Sequence, residues 1–433
     1  MRMHFLAMKL SDKKFQYMAS AGSVGMMGLW RAPELMSHYG VLFIYVYILM
    51  AVIIGVPLIM SALVIGRLSR RHPLVFMQML GLRWPIVKRA GFMRFLMLFS
   101  SLCLLGVYLM GISWILLYLS APAVMYQKTP EYHNYIDYIY YRPWLICFVM
   151  FCVSALLAYL SLKRPGVREM SLYRLSHVCL LGTMLFIIFF RLDSAYLQDL
   201  YTIRSHLSLN LFWDAFVQVC LNLAIGTGVI SLVGGKLDKN SSLNKIALRL
   251  TAWNVFFGVC ALCAFTPSGA FAGSQMALND WLIHLHGILS HTKIGAWMHV
   301  CLFGCLGVSA FGVMRYTLEV LMHYFTSMSY HAVKTTLALV TCVCVIAVLE
   351  THSVKLDGRA ARWSIDVFNW IDVWVIQSFI IWFGLMGVCL LRFGVFKEEL
   401  HAGFAGSSIY LSSAALSTVI FLITLLLMCH YFI

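Results

Sequence analysis

The chain has 433 residues, of which 61% are hydrophobic and 11% charged, with a mean hydropathy of +0.84 and a formal net charge of +15. Soluble domains carry about 25% charged residues, so the composition excludes a soluble enzyme, a disordered chain and a secreted disulfide scaffold. The basic residues sit in short stretches between apolar runs, which is the pattern of membrane orientation and not of nucleic-acid binding.

Taken in order, the apolar runs predict eleven membrane spans, at about residues 16–38, 41–65, 96–120, 143–162, 176–192, 211–235, 250–266, 297–325, 335–350, 372–393 and 409–431. A single transmembrane domain is expected over 1–433. The runs at 176–192, 250–266 and 335–350 are short for a hydrocarbon core of about 30 Å and need polar flanks to finish the crossing. With the N-terminus in the cytoplasm, twenty-two Lys and Arg fall in inner segments and eight in outer ones, while Arg31 and Arg315 lie within spans. That asymmetry predicts a cytoplasmic N-terminus and a C-terminus on the far side, periplasmic in a bacterial inner membrane. The stretch Met1 to Lys14 is short and polar without a signal-peptide pattern, so the first apolar run is expected to be retained.

Other motifs carry little chemistry. The 13 cysteines lie almost wholly in apolar runs, where cysteine behaves as a small hydrophobe. Cys260 and Cys263 have redox-like spacing but no strand–helix setting. His284, His286 and His291 have ligand-like spacing without a nearby cysteine or acid to complete a metal set. With no nucleophile–base arrangement and no P-loop, neither catalysis nor a resident metal is expected.

Two spans hold glycines that a plain anchor does not need. The first contains Gly22, Gly25 and Gly28, followed by Arg31 and Pro33; the sixth contains Asn222, Gly226 and Gly228 at its middle. Glycine-interrupted spans in corresponding halves point to discontinuous helices around a midplane site. Close helix packing through small residues is the plainer explanation, and spacing alone does not separate the two. Span 1 opens one set of five and span 6 the next, which suggests inverted repeats over about 15–192 and 210–393, with an extra helix at about 409–431.

At these residues the sequence resembles a family. Gly22-Ser-Val-Gly-Met-Met-Gly-Leu-Trp-Arg-Ala-Pro33 is similar to the first-helix signature of the neurotransmitter:sodium symporters, G-S-A-V-G-L-G-N-x-W-R-F-P. Gly55-Val-Pro57 and Ile65-Gly-Arg67 resemble the second helix, and Tyr108 with Trp114 the third. Gln218 to Gly228 resembles the sixth, Asn254 and Pro267 frame the seventh, and Leu318-Glu-Val320 looks like the eighth. Phe368-Asn-Trp-Ile-Asp372 and Glu398-Glu-Leu400 resemble the start and exit of the tenth. The resemblance implies an all-α polytopic membrane protein of the LeuT type: a 5+5 inverted repeat with unwound helices 1 and 6, plus an eleventh transmembrane helix. It also implies sodium-coupled uptake of an amino acid or related amine, with the substrate and the bilayer as partners.

The family's roles carry over unevenly. Substrate positions become Ser23, Gly25, Met27, Tyr108, Leu221, Ala224 and Thr227, with the Tyr108 hydroxyl on the substrate carboxylate. Arg31 and Asp372 match the outer gate. The first sodium site becomes the Ser23 carbonyl, Asn222 and Asn254, but Gly28 stands where the family has asparagine, and Met27 where it has glycine. The second site falls on Ala21, Val24, Ser309, Gly312 and Val313; Gly312 and Val313 replace its two hydroxyl ligands, and a hard cation wants oxygen. Arg315, one turn on, is a candidate substitute for that cation's charge. Tyr47 and Gln218 match a chloride-site remnant, yet Gly258 stands where the family has serine or an acid, and Ala62 where it has a glutamate. At most one sodium ion is therefore expected, and no other cofactor.

Three functions fit: an amino-acid or amine transporter with altered or reduced sodium coupling, a transport-inactive member serving as sensor or partner subunit, and a proton-coupled or uncoupled exchanger on the same fold. Substrate and oligomeric state are not legible.

Overall fold

The computed structural model describes residues 26–69, 91–120, 143–162, 167–191, 206–224, 228–237, 242–265, 295–327 and 331–353, together with Ala19, Leu200 and Tyr201. The expected spans at 372–393 and 409–431 lie outside these residues, as do Pro267 and the three outer-loop histidines. The described residues are helical throughout, without β-strands.

Helices α1 (Met26–Tyr39) and α2 (Val41–Met50) are separated by Gly40, whose φ of 64° and ψ of −154° form a bend that glycine alone adopts readily. A π-helical turn, Ala51–Gly55, joins α2 to α3 (Val56–Ser69). Its wider turn precedes Pro57, whose ring would crowd the carbonyl four residues back in a regular helix. Then come α4 (Gly91–Leu119), α5 (Pro143–Ser161) and α6 (Val167–Phe190). Pro143 opens α5, where a missing N–H costs nothing. The second half holds α7 (Leu209–Asn222), α8 (Val229–Gly234), α9 (Leu243–Phe265), α10 (Gly295–Ser327) and α11 (Ala332–Ser353).

Among the described residues, six stretches are long and apolar enough to cross a membrane: Val41–Val64, Ser101–Leu119, Trp144–Ser161, Ser171–Phe190, Leu243–Phe265 and Trp297–Met322. The chain is a multi-pass membrane protein. Within Ser101–Leu119, 83% of the residues are buried, against 28% in Trp144–Ser161, so α4 is central and α5 peripheral. Phe148 and Phe151 on α5 point outward, where lipid solvates them as well as a core would.

Cross-helix contacts give strand-by-strand directions. Tyr39 meets Asp214 and Tyr47 meets Asn222, each pair 175 residues apart, so α2 runs parallel to α7. Thr183 meets Cys301, His177 meets Ser309 and Tyr173 meets Tyr316, so α6 runs antiparallel to α10. Both directions follow if the spans alternate in the predicted order. The short runs are corrected: the span expected at 176–192 is a helix from Val167 to Phe190, and those at 250–266 and 335–350 begin at Leu243 and Ala332. Polar N-terminal stretches, carrying Arg174 in α6 and Lys245 and Arg249 in α9, extend these helices beyond their apolar runs. The sixth span is two helices, not one.

Helix α8 crosses α3 at glycines. A Cβ on Gly66 would collide with the Ser231 carbonyl, and one on Gly234 would come within 3.1 Å of the Leu63 carbonyl. Backbone cannot rotate away as a side chain can. Gly66→Ala is expected to lose at least about 1–3 kcal/mol by overpacking. Gly182→Ala and Gly304→Ala, where an added Cβ meets nothing within 4 Å, are expected to be neutral. Thermal unfolding of the detergent-purified variants checks the contrast.

Candidate functional site

The site is organised by the interruption of the sixth span. Ser208 caps α7, its hydroxyl accepting from Leu211 N at 3.2 Å, and the helix then runs as far as Asn222. Leu223 and Ala224 turn the chain, Ala224 at a φ of 47°, and Gly228 starts α8 in the left-handed region at a φ of 78°. Leu223 N and Ala224 N bond back to the Val219 and Leu221 carbonyls. Non-helical backbone at this depth is stable only where protein or a water-filled cavity surrounds it.

Beside the break, Asn222 Nδ2 donates to the Tyr47 hydroxyl at 2.6 Å, and both residues are buried. Gly258 of α9 faces the same pair: a Cβ there would lie 2.5 Å from the Tyr47 oxygen and 2.8 Å from Asn222 Nδ2. Asn254, one turn before Gly258, bonds Nδ2 to the Leu250 carbonyl of its own helix at 2.9 Å. Gln218, one turn before Asn222, is buried on the same helix. The structure thus brings together Tyr47, Asn222 and the helix face carrying Asn254 and Gly258. Leu221 and Ala224 are buried at the break, and Tyr108 is buried in α4.

Other candidates fare differently. Ala21, Ser23, Val24, Gly25, Thr227 and Asp372 lie outside the described residues, and Met27 is described by its backbone alone, in the first turn of α1. Gly312 and Val313 are buried in α10, and the Val313 carbonyl accepts from Thr317 Oγ1 at 2.9 Å. Ser309 Oγ lies 3.1 Å from His177 Nε2. Arg315 directs Nη2 to the Leu160 carbonyl at 2.9 Å, at the C-terminal end of α5, where helix carbonyls lack partners. Arg191 treats the Ala264 carbonyl at the end of α9 the same way, at 3.1 Å.

Arg31 pairs with Asp214: Nη2 lies 3.5 Å from Oδ1, with the two side chains 18% and 24% exposed. Tyr39 donates to the other carboxylate oxygen at 2.6 Å. Past the far end of the interrupted span, Lys236 lies 3.5 Å from Glu319 Oε1 of α10. Sequence reasoning passed over Asp214 and His177. The signal was available for both, since an ionisable residue inside a span is a functional candidate by default.

No protein-family model matches the sequence, and no curated protein does. Among solved structures, the crystal structure of MhsT in complex with L-phenylalanine matches with a TM-score of 0.80, over 98% of this chain and 99% of that one, at 18% identity. The chain has the LeuT-type fold of the neurotransmitter:sodium symporters.

Two sets of variants probe the geometry. Gly258→Ala is expected to cost about 1–3 kcal/mol by forcing Tyr47 off Asn222, and adding Tyr47→Phe should restore part of the loss in a melting curve. Arg31→Ala and Asp214→Ala should each cost about 1–3 kcal/mol, because each strands a partly buried charge. The double variant should fall well short of the sum; additive losses in that cycle would show the pair to be uncoupled.

Proposed function

We propose that this protein is a secondary active transporter for an amino acid or a related small amine, in a bacterial inner membrane, with its N-terminus cytoplasmic and its C-terminus periplasmic. The observation that carries this reading is the break between Asn222 and Gly228, in a fold built around such breaks. An anchor or a packing subunit gains nothing from interrupted backbone inside the bilayer, whereas a midplane binding site needs it. That MhsT was crystallised with L-phenylalanine supports an amino acid as the substrate class.

In this reading the Tyr108 hydroxyl and backbone N–H groups of the unwound first span, near Gly25 to Gly28, hold the substrate carboxylate, as a helix end favours an anion. Leu221, Ala224 and Thr227 line the pocket on the side of the sixth span, Ser23 and Gly25 on the side of the first. Met27 occupies a position that glycine would leave to the substrate, so a small ligand fits best. Arg31 closes the outer side with Asp214, Asp372 or both.

Sodium coupling is reduced. The carbonyl oxygens of Asn222 and Asn254, with the Ser23 carbonyl, suit one sodium ion. The second position has neither hydroxyl ligand, because Gly312 and Val313 stand there. A ligand biases a conformational equilibrium only by its differential affinity, so an ion that does not bind there cannot drive opening.

Uptake of a labelled amino-acid panel into proteoliposomes tests the reading. Uptake of at least one amino acid is expected, with no sodium dependence at the second site and a Hill coefficient for sodium no greater than about one. Tyr108→Phe should weaken substrate affinity by about 10- to 150-fold, the equivalent of one charge-assisted hydrogen bond of about 1.5–3 kcal/mol. Its folding should be near normal. Equal affinities in wild type and variant would place the carboxylate elsewhere.

A further inference from the structure

The spans contain an ionisable side chain that the substrate and sodium positions leave unused. His177 lies on α6 within Ser171–Phe190 and is 3% exposed. Its Nε2 is 3.1 Å from Ser309 Oγ of α10, and the Phe257 ring of α9 meets it edge-on with centroids 6.2 Å apart. Ser309 sits midway along Trp297–Met322. Three helices therefore meet at an imidazole near the middle of the bilayer, where an ionisable group is expensive and marks an ion or proton path by default.

A purely structural histidine is the competing explanation, and two observations weigh against it. Ser309 reaches across from α10 to α6, and the group it meets there is a titratable base. Gly312 and Val313 stand one turn from Ser309, so the imidazole is adjacent to the position that lacks a cation's oxygen ligands. Arg315 does not fill that role in this geometry, since its guanidinium is bonded at the end of α5.

We propose that His177, held against Ser309, is the proton-binding site of this transporter, and that the bound proton supplies the positive charge that a second sodium ion would otherwise bring. The inference rests on the transporter reading above and adds the coupling ion. A proton from water on one side forms an N–H bond on the imidazole. It leaves to water on the other side, and the ring returns to its neutral form. In the neutral ring one nitrogen accepts; in the imidazolium both donate, so Ser309 Oγ must accept from Nε2 and turn its own hydrogen elsewhere. Protonation thus rewires the contact between α6 and α10, which belong to different halves of the fold.

The surrounding titratable groups fit a state-dependent proton. On α6, Tyr173 is one turn away, its ring against Tyr316 of α10 at 6.1 Å. On α10, Cys305 lies one turn from Ser309 on one side, and Arg315 lies beyond Gly312 on the other. On α9, Cys260 is within one turn of Phe257. None of these is a carboxylate, so no fixed counter-charge among them holds the proton. In this proposal water admitted from the open side stabilises the charge, which ties proton binding to whichever side is open.

The test uses proteoliposomes and the labelled amino acid that wild type takes up best from a standard panel. A proton gradient of about one pH unit should drive about tenfold accumulation at one proton per substrate. His177→Gln should lose that accumulation while retaining measurable exchange of label without any gradient. Ser309→Ala should shift the pH profile of uptake. Proton-driven accumulation by His177→Gln would overturn the proposal. So would wild type that exchanges label but ignores the proton gradient, which leaves the transporter reading standing. Wild type that neither accumulates nor exchanges any amino acid removes both. If His177→Gln is inactive in every assay, wild type alone decides: substrate addition should make the external medium more alkaline, and no change overturns the proton site.

Discussion

The bond from Asn222 to the Tyr47 hydroxyl holds together what the rest of the architecture pulls apart. A helix broken inside the bilayer exposes backbone groups that lipid cannot satisfy. Such a break persists only if its two halves are fixed by neighbours. Asn222 ends the first half, and its side chain ties that end to the second span. Gly258 then lets the seventh span approach closely enough to cover the pair. The second half, α8, is fixed differently: it lies directly on the backbone of α3, with Gly66 and Gly234 making room.

Charge reinforces the same span at its two ends. Asp214 meets Arg31 and Tyr39 near the start, and Lys236 meets Glu319 past the finish. Ion pairs of this kind contribute little when solvated, but partial burial raises their worth and makes removal of one partner costly. Because one member of each pair sits on or beside the interrupted span and the other on a different helix, opening either end requires a pair to separate. The two pairs thus hold the ends of the broken span as the Asn222–Tyr47 bond holds its middle.

The other charged and polar groups in the spans have local uses. Arg315 and Arg191 each satisfy a carbonyl at the C-terminal end of a neighbouring helix. Buried serines and threonines mostly bond back to their own helices, which adds little between helices. His177 joins two helices through a basic ring that gains a positive charge on protonation.

Hydropathy by itself determined that the chain crosses a membrane repeatedly, and the order of its apolar runs determined which helices run parallel and which antiparallel. The break in the sixth span was legible too, because Gly228 is conspicuous in an apolar run and few other residues accept its φ of 78°. Helix starts were less legible: charged N-terminal stretches such as the one holding Arg174 look like loop, and this placed His177 at the edge of its span rather than well inside it. Partnership was decided by the tertiary structure alone. Spacing suggested Asn222 and Tyr47 separately, but only the fold puts one against the other, and only the fold brings Asp214 to Arg31 and Ser309 to His177. The reason is physical. Apolar periodicity records how a segment meets lipid or core, a property each segment carries in its own residues, whereas a hydrogen bond between residues more than a hundred positions apart depends on the register and crossing of two packed helices, which no single segment encodes.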